Sequence, residues 1–255
     1  MNVALDALCA ALIDELQAEF GPDLLGVLVS GSRIHGVPGP TSDLDTHVLI
    51  GGWRRRRINR LLHGVEIEMF VNPPARIPGY FGDGRGVTLH MFAFGRAIYD
   101  PQGIVAGLQS QARELWAAGP PPVSPADHWH HRYAPADVLN DLADVGDDDP
   151  ATANLLIHKA SDMLIATHYA LNRRWPAKTK RLLADLAAWD APAAEQLRAT
   201  HAPGPLAARR SALLSLAEHV LAPIGGLAGP EWSMDWEPLP PPDPGARPAE
   251  EGSSH

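Results

Sequence analysis

The N-terminal part of the chain combines one helical pattern with several short apolar runs. Apolar residues recur at helical spacing over Val3–Phe20 and stop at a Gly-Pro-Asp sequence, which predicts an amphipathic opening helix. Short runs rich in branched apolar residues predict strands at Leu24–Val29, Asp43–Ile50 and Val65–Val71. A sheet with a helix packed against it is therefore expected in this half.

Two neighbouring segments are less regular. Trp53–Leu62 is predicted to form a short Arg-rich helix, and Val87–Phe94 a fourth, weaker strand. The four consecutive arginines Arg54–Arg57 favour a solvated helix face, with a clamp for phosphate as the alternative.

The C-terminal half changes to long helical patterns separated by Pro- and Gly-containing breaks. Helices are predicted at Ile104–Trp116, Pro125–Asp144, Ala151–Arg174, Lys178–Trp189, Ala191–Thr200 and Leu206–Leu221. The fold class is thus an α/β (α+β) domain with a small mixed sheet, followed by an all-α helical-bundle domain. We place the boundaries at 1–118 and 119–230, and a Pro-rich tail that cannot build a core, hence disordered, at 231–255.

Composition excludes several classes of protein. The 255 residues are 45% hydrophobic and 20% charged, which is ordinary for a globular chain and not for a disordered one. A single cysteine, Cys9, excludes an intramolecular disulfide framework, and no apolar run approaches the ~20 residues that span a bilayer. The expected location is cytoplasmic. A net charge of −9 argues against general attraction to nucleic acid.

The candidate chemistry lies between the first two predicted strands. Gly31 and Ser32 follow the first strand, and after ten further residues Asp43 and Asp45 open the second. Side chains at positions i and i+2 of a strand point to the same face, so these two carboxylates project together, roughly 7 Å apart at Cα. Carboxylates that converge in this way suit Mg²⁺ when a triphosphate supplies further oxygens. A Gly-Ser turn lets the backbone approach a phosphate closely.

This segment resembles the nucleotidyltransferase superfamily of the DNA polymerase beta type, whose motif is a hydrophobic strand, Gly-[Gly/Ser], a spacer and Asp-x-[Asp/Glu]. Gly36 and Ser42 also match the small-molecule branch typified by aminoglycoside nucleotidyltransferases. The resemblance covers about residues 1–118. It implies that Asp43 and Asp45 bind two Mg²⁺ ions and that the nucleotide's phosphates contact a short set of residues, namely Gly31, Ser32, Arg33 and Ser42.

The same resemblance implies a third carboxylate on a neighbouring strand. Glu66 and Glu68 share one face of the strand predicted at Val65–Val71. Family strands of similar form favour Glu68 as the third metal ligand or the general base, with Glu66 as the second choice.

The placement of lysine suggests a contribution from the helical half. The only three lysines are Lys159, Lys178 and Lys180, all within one short window. A bound triphosphate needs cations at its distal end, and Lys178 follows Pro176 near a predicted helix start. We expect Lys178 to contact the nucleotide, with Lys180 as its substitute and Lys159 as third choice; the alternative is that all three are solvated surface groups.

The expected function is Mg²⁺-dependent transfer of a nucleoside monophosphate from a nucleoside triphosphate, with ATP as the expected donor, to a hydroxyl of a small molecule, releasing pyrophosphate. The same core occurs in enzymes that adenylylate a protein, including antitoxins that modify a toxin, so a protein acceptor stays open. A catalytically degenerate protein that only binds a nucleotide or a partner is the third alternative.

Overall fold

Five strands form one mixed sheet in the computed structural model, which describes residues 5–36, 38–39, 41–82, 86–145, 148–231 and 233. The strands lie in the order β3-β4-β2-β1-β5, and β2 runs parallel to β4 while the other neighbouring pairs are antiparallel. Their bounds are β1 Leu24–Ser30, β2 Leu44–Ile50, β3 Arg56–Leu62, β4 Val65–Asn72 and β5 Arg96–Tyr99. The small mixed sheet expected from the sequence is confirmed.

Helices cover both faces of this sheet. The opening helix α1 (Leu5–Phe20) packs on one face, where Leu12 and Leu16 are fully buried among inward side chains of β1, β2 and β4. Burial of each such leucine stabilises the fold by about 1.5–3 kcal/mol. The opposite face carries a second apolar layer from three helices, α2 (Ile77–Phe81), α3 (Val87–Phe94) and α4 (Ile104–Ala118).

The prediction of an Arg-rich helix at Trp53–Leu62 is wrong, because Arg56–Leu62 forms strand β3. His63 and Gly64 both have positive φ values, 50° and 79°, and they connect Leu62 to its partner Val65. A two-residue turn of this kind matches the twist of an antiparallel pair and closes a tight hairpin.

The arginines of β3 alternate between the two sheet faces rather than sharing one helix face. Arg60 donates to Glu19 of α1 at 2.7 Å. On the other face Arg57 pairs with Glu68 of β4. Because each face offers carboxylates at strand spacing, the extended conformation gives these cations partners.

Val87–Phe94 is helix α3 and not the predicted strand. Leu89, Phe92 and Ala93 are buried against the sheet, a one-sided spacing that only a helix produces. Gly86 in the left-handed region and Gly95 bound the helix. A mostly apolar segment of only eight residues, interrupted by Thr88 and His90, fits a strand as well as a helix, so the pattern alone could not separate them.

The C-terminal half consists of long helices around a second core, as predicted. Leu164, Tyr169, Leu213 and Leu216 are almost fully buried there. No helix in the described ranges has both the length and the apolar character that crossing a membrane requires. The helices are α5 His128–Val145, α6 Pro150–Leu171, α7 Thr179–Trp189, α8 Ala191–His201 and α9 Leu206–Leu221.

The segment after α6 attaches the helical half to the sheet half. The Trp175 ring stacks on Trp116 of α4 at 5.6 Å between centroids, and its indole N–H donates to the Trp116 carbonyl at 3.1 Å. A Cβ at Gly86 would lie 2.6 Å from the Trp175 ring, so the glycine makes room for it. Arg173 also donates to the Ala118 carbonyl at 2.7 Å. These contacts hold the segment that precedes α7 against α4.

Parts of two sequence expectations lie outside the described residues. The first two residues of the predicted opening helix are among them, as are residue 232 and residues 234–255 of the predicted tail. The division at residue 118 stays a prediction.

Candidate active site

Three carboxylates converge on the sheet face opposite α1. Asp45 of β2 lies beside Glu68 of β4 in the parallel register, and Asp43 precedes β2 on the same face. One oxygen from each of the three lies within 4.8 Å of the others. All three side chains are half-buried. The structure therefore brings together the acids that the sequence singled out; their role as ligands stays a prediction.

The environment of Asp45 disfavours its negative charge. Burial raises the pKa of this carboxyl above its usual value, and the nearby Asp43 and Glu68 charges raise it further, while Lys178 lowers it. A cation bound beside these carboxylates would offset their mutual repulsion and stabilise their charged forms. The donors are all carboxylate oxygens, the ligand type that Mg²⁺ prefers, so these residues fit that ion.

Gly31 lies against the Asp45 carboxylate. Its φ is +97°, and a Cβ at this position would lie 2.9 Å from Asp45 Oδ2. Both the backbone conformation and the close approach require glycine here. The amides of Ile34 and His35 donate to the Gly31 carbonyl and close a turn directly after β1.

The loop between β1 and β2 is braced through Ser42. The Ser32 hydroxyl donates to Ser42 Oγ at 2.8 Å, which in turn accepts from the Gly39 amide at 2.7 Å. Arg33 donates through Nε to the Ser42 carbonyl at 2.8 Å. These bonds hold the Gly-Ser turn next to the carboxylates. Contact of Ser32, Arg33 or Ser42 with a phosphate stays a prediction.

The helical half contributes a cation to the carboxylate group. Lys178, directly before α7, places Nζ 3.9 Å from Asp45 Oδ2, and its side chain is 59% exposed. Lys180 in the first turn of α7 is exposed and lowers the pKa of Asp45 to a smaller extent. Lys159 is exposed on α6.

The two glutamates of β4 differ in their surroundings. Glu68 belongs to the carboxylate group and pairs with Arg57 of β3. Glu66 is exposed and accepts from Asn59 Nδ2 at 2.6 Å. The geometry therefore favours Glu68 over Glu66 as the third carboxylate of the site. Sequence reasoning did not connect Arg57 to this site, because it assigned that segment to a helix.

A cavity of about 500 Å³ opens on the same sheet face, beyond Glu68. His47 and Phe70 line it, two residues after Asp45 and Glu68 on their strands, together with Arg55, Asn72 and Tyr80. His47 is 3% exposed, and burial lowers its pKa to about 4. Alternation along β2 was the signal that could have placed His47 on the Asp45 face.

A second cluster of titratable groups lies in the helical half and was not anticipated. Nε2 of His168 and Nε2 of His219 lie 2.8 Å and 2.7 Å from the same Asp190 oxygen. The three ligand atoms lie within 4.8 Å of one another, a spacing that could also hold a metal ion. The other Asp190 oxygen accepts from the Ala193 amide and caps α8. These hydrogen bonds account for the convergence of the two rings.

Comparison with solved structures finds a similar fold. The chain is similar to a nucleotidyltransferase-like protein from Exiguobacterium sibiricum, with a TM-score of 0.52 and 13% identity over 86% of this chain and 75% of that one. No protein-family model matches the chain, and no curated protein matches its sequence. The fold is therefore nucleotidyltransferase-like: an α/β domain with a mixed sheet, followed by a helical region.

Proposed function

We propose that the protein is a Mg²⁺-dependent nucleotidyltransferase, which transfers a nucleoside monophosphate from ATP to an acceptor hydroxyl. The observation that carries this proposal is the convergence of Asp43, Asp45 and Glu68 within 4.8 Å, beside a Gly-Ser turn. Similarity to a nucleotidyltransferase-like structure supports it at the level of the fold.

Each part of the site has a role in this reaction. Asp43, Asp45 and Glu68 are the residues that would hold Mg²⁺, which when bound supplies positive charge to the phosphoryl oxygens. The turn at Gly31 and Ser32 orients the β- and γ-phosphates with backbone and hydroxyl donors. The acceptor oxygen forms a bond to the α-phosphorus, the bond to the bridging oxygen breaks, and pyrophosphate leaves. The acceptor proton passes to a β4 carboxylate, for which Glu68 is the first choice and Glu66 the second.

The helical half closes the site in this proposal. We assign residues 1–118 to the nucleotidyltransferase domain and 119–230 to a helical domain that presents Lys178 and Lys180. Lys178 contacts Asp45 in the structure, 3.9 Å away. When a metal ion takes over the neutralisation of Asp45, the Lys178 ammonium is free to pair with a phosphate.

The first test is binding of ATP by titration calorimetry with and without Mg²⁺. We expect binding that requires Mg²⁺ and is lost in Asp43→Asn and Asp45→Asn. Asp14→Asn is the matched control, because Asp14 is an exposed carboxylate on α1. Binding that is unaffected by both site variants would contradict the proposal.

The second test uses ATP labelled at its α-phosphate. Label on a small hydroxyl compound supports the proposed reaction, whereas label on a polypeptide identifies a protein adenylyltransferase instead. Mg²⁺-dependent ATP binding without transfer to any acceptor in the panel would favour a nucleotide-binding protein that has lost catalysis.

A further inference from the structure

The cavity beyond Glu68 lies on one defined side of the carboxylate group. Across the sheet, the Gly31 turn follows β1, Asp45 and Glu68 lie on β2 and β4, and Arg57 lies on β3. In an in-line displacement the attacking and leaving oxygens lie on opposite sides of the phosphorus. With the triphosphate at the Gly31 turn, the attacking hydroxyl comes from the side of β4 and β3. The cavity is therefore on the acceptor side.

The cavity has a positive lining. Arg55 and Arg57 both line it, and no lining residue among those described is acidic. Arg57 is paired with Glu68, whereas the described part of the chain offers Arg55 no carboxylate partner. Hydrogen bonding by Arg55, and to a lesser extent by Arg76, holds the pKa of the Tyr80 hydroxyl below its usual value. The Arg76 guanidinium lies over the Tyr80 ring, 6.0 Å from its centroid, and lines an adjoining cavity that shares Tyr80.

A buried polar ring forms the floor of the cavity. His47 stacks on Phe70 and makes a tilted contact with Phe92, with ring centroids 5.1 Å and 4.9 Å away. Neither of its ring nitrogens has a hydrogen-bond partner among the described residues. Buried polar atoms are nearly always paired in folded proteins, so the unpaired imidazole behind this wall is an exception for which the fold alone gives no reason.

We propose that this cavity binds an anionic group, a phosphate or a carboxylate, on the hydroxyl-bearing acceptor. The inference rests on the proposed function, and it names the acceptor class. Arg55 supplies charge-assisted hydrogen bonds from the cavity wall, and Arg76 adds positive charge from an adjoining cavity that shares Tyr80. The aromatic wall of Phe70 and Tyr80 packs against the acceptor's carbon skeleton. A polycationic aminoglycoside would be repelled by the same arginines, so the acceptor differs in charge from that of the small-molecule branch that the motif resembles.

Four small aromatic probes of matched size test the charge preference. Phenyl phosphate, benzoate, benzyl alcohol and benzylamine are titrated into the protein saturated with Mg²⁺ and an ATP analogue that carries a methylene between its α- and β-phosphates. The analogue occupies the triphosphate site and cannot react. We expect at least one anion to bind about tenfold more tightly than benzyl alcohol, and benzylamine to bind most weakly. Comparison of phenyl phosphate with benzoate separates phosphate from carboxylate.

Substitution of the arginines in and near the cavity tests where the anion binds. Arg55→Gln and Arg76→Gln should together weaken anion binding about tenfold and leave the affinity for the ATP analogue unchanged. Arg54→Gln is the matched control, because Arg54 belongs to the same arginine run but pairs with Asp23 away from the cavity. Equal affinity for anion and alcohol, no anion binding, or an equal effect of Arg54→Gln would overturn the inference.

A parallel titration without nucleotide or Mg²⁺ separates this inference from the proposed function. Anion binding that depends on Arg55 should persist there, because the cavity does not use the three carboxylates. If the analogue fails to bind but this anion binding is present, the proposed function fails and the anion site stands. If the analogue binds and no probe depends on Arg55, the acceptor inference alone fails.

Discussion

Lys178 Nζ lies 3.9 Å from Asp45 Oδ2, so a residue at the start of α7 meets a half-buried carboxylate of the sheet half. Three residues earlier, Trp175 stacks on Trp116 and packs the segment before α7 against α4. The contact between Lys178 and Asp45 links the two halves of the chain at the point where the proposed nucleotide binds.

Removing this ammonium tests its role in nucleotide binding. Lys178→Ala should weaken ATP binding in the presence of Mg²⁺ several-fold, because one charge-assisted contact to phosphate is lost. The melting temperature should stay unchanged, since an exposed ion pair contributes about 0–1 kcal/mol. Titration calorimetry and thermal denaturation measure the two effects, with Lys159→Ala, an exposed lysine on α6, as the control. Unaltered ATP affinity in both Lys178→Ala and Lys180→Ala would exclude the helical half from nucleotide binding.

Asp45→Asn should separate catalysis from stability. Transfer should fall more than about a hundredfold, because a ligand for the cation is lost. Without Mg²⁺ the variant should be at least as stable as the wild type, since burial and neighbouring carboxylates raise the pKa of Asp45 and make its charged form unfavourable. A raised pKa means that the wild type loses stability as the pH rises through it, and Asp45→Asn should lack that loss. Near-wild-type turnover in the variant would remove Asp45 from the metal site.

The sequence predicted the parts of the site that depend on local periodicity. Alternation along a strand was enough to predict that Asp43 and Asp45 share one face. Two strongly apolar runs on either side of a glycine turn are typical of strands. The parallel pairing of β2 with β4, which puts Glu68 beside Asp45, depends on sheet order and not on any local pattern.

The errors arose where tertiary partners decide the conformation. Arg56–Leu62 looks helical by its charge run, but it is held extended by Glu19 on one face and Glu68 on the other. The cavity was missed for the same reason. Once this segment is a strand, Arg55 and Arg57 lie beside His47 and Phe70; as a helix it would have presented them elsewhere.

The two glutamates of β4 should differ strongly when each is made neutral. Glu68→Gln should lower transfer by more than about a hundredfold, because Glu68 lies in the carboxylate group and is oriented by Arg57. Glu66→Gln is the matched control and should change transfer little, since Glu66 is exposed and bonded to Asn59. Steady-state rates of both variants decide the assignment. The reverse order would move the role to Glu66, and equal small losses would place the third acid elsewhere.

A methyl group at Gly31 should disturb Asp45 beyond the cost of backbone strain. Gly31→Ala puts Cβ 2.9 Å from Asp45 Oδ2, at a φ of +97°. Gly52→Ala is the control, because Gly52 has a φ of +80° and open space around the added methyl. Both variants should lose about 1–2 kcal/mol of folding free energy in urea denaturation. Only Gly31→Ala should also lose Mg²⁺-dependent ATP binding, and equal binding by the two variants would show that the close approach to Asp45 is unimportant.

The His168–Asp190–His219 cluster should make the helical half sensitive to acid. Burial lowers the pKa of His168, and Asp190 offsets this only in part. Burial raises the pKa of Asp190, but hydrogen bonds from His219, the Ala193 amide and His168 outweigh it and leave that pKa lowered. Because both pKa values are lower in the folded protein, the unfolded chain binds protons at a higher pH than the folded chain does. The free energy of unfolding therefore falls as the pH drops below about 6.5, where the histidine of the unfolded chain is protonated. It falls further at the lower pH where the aspartate of the unfolded chain is protonated.

His168→Gln tests this origin of the pH dependence. The free energy of unfolding, measured by urea denaturation at pH 7.5 and pH 5.5, should fall less between the two values in His168→Gln than in the wild type. The comparison uses the difference between the two pH values, because loss of the buried ring and its stack on Trp189 lowers stability at both. His158→Gln is the control, since His158 is an exposed histidine on the same helix. A pH dependence that is the same in wild type and His168→Gln would assign the acid sensitivity to histidines outside the cluster.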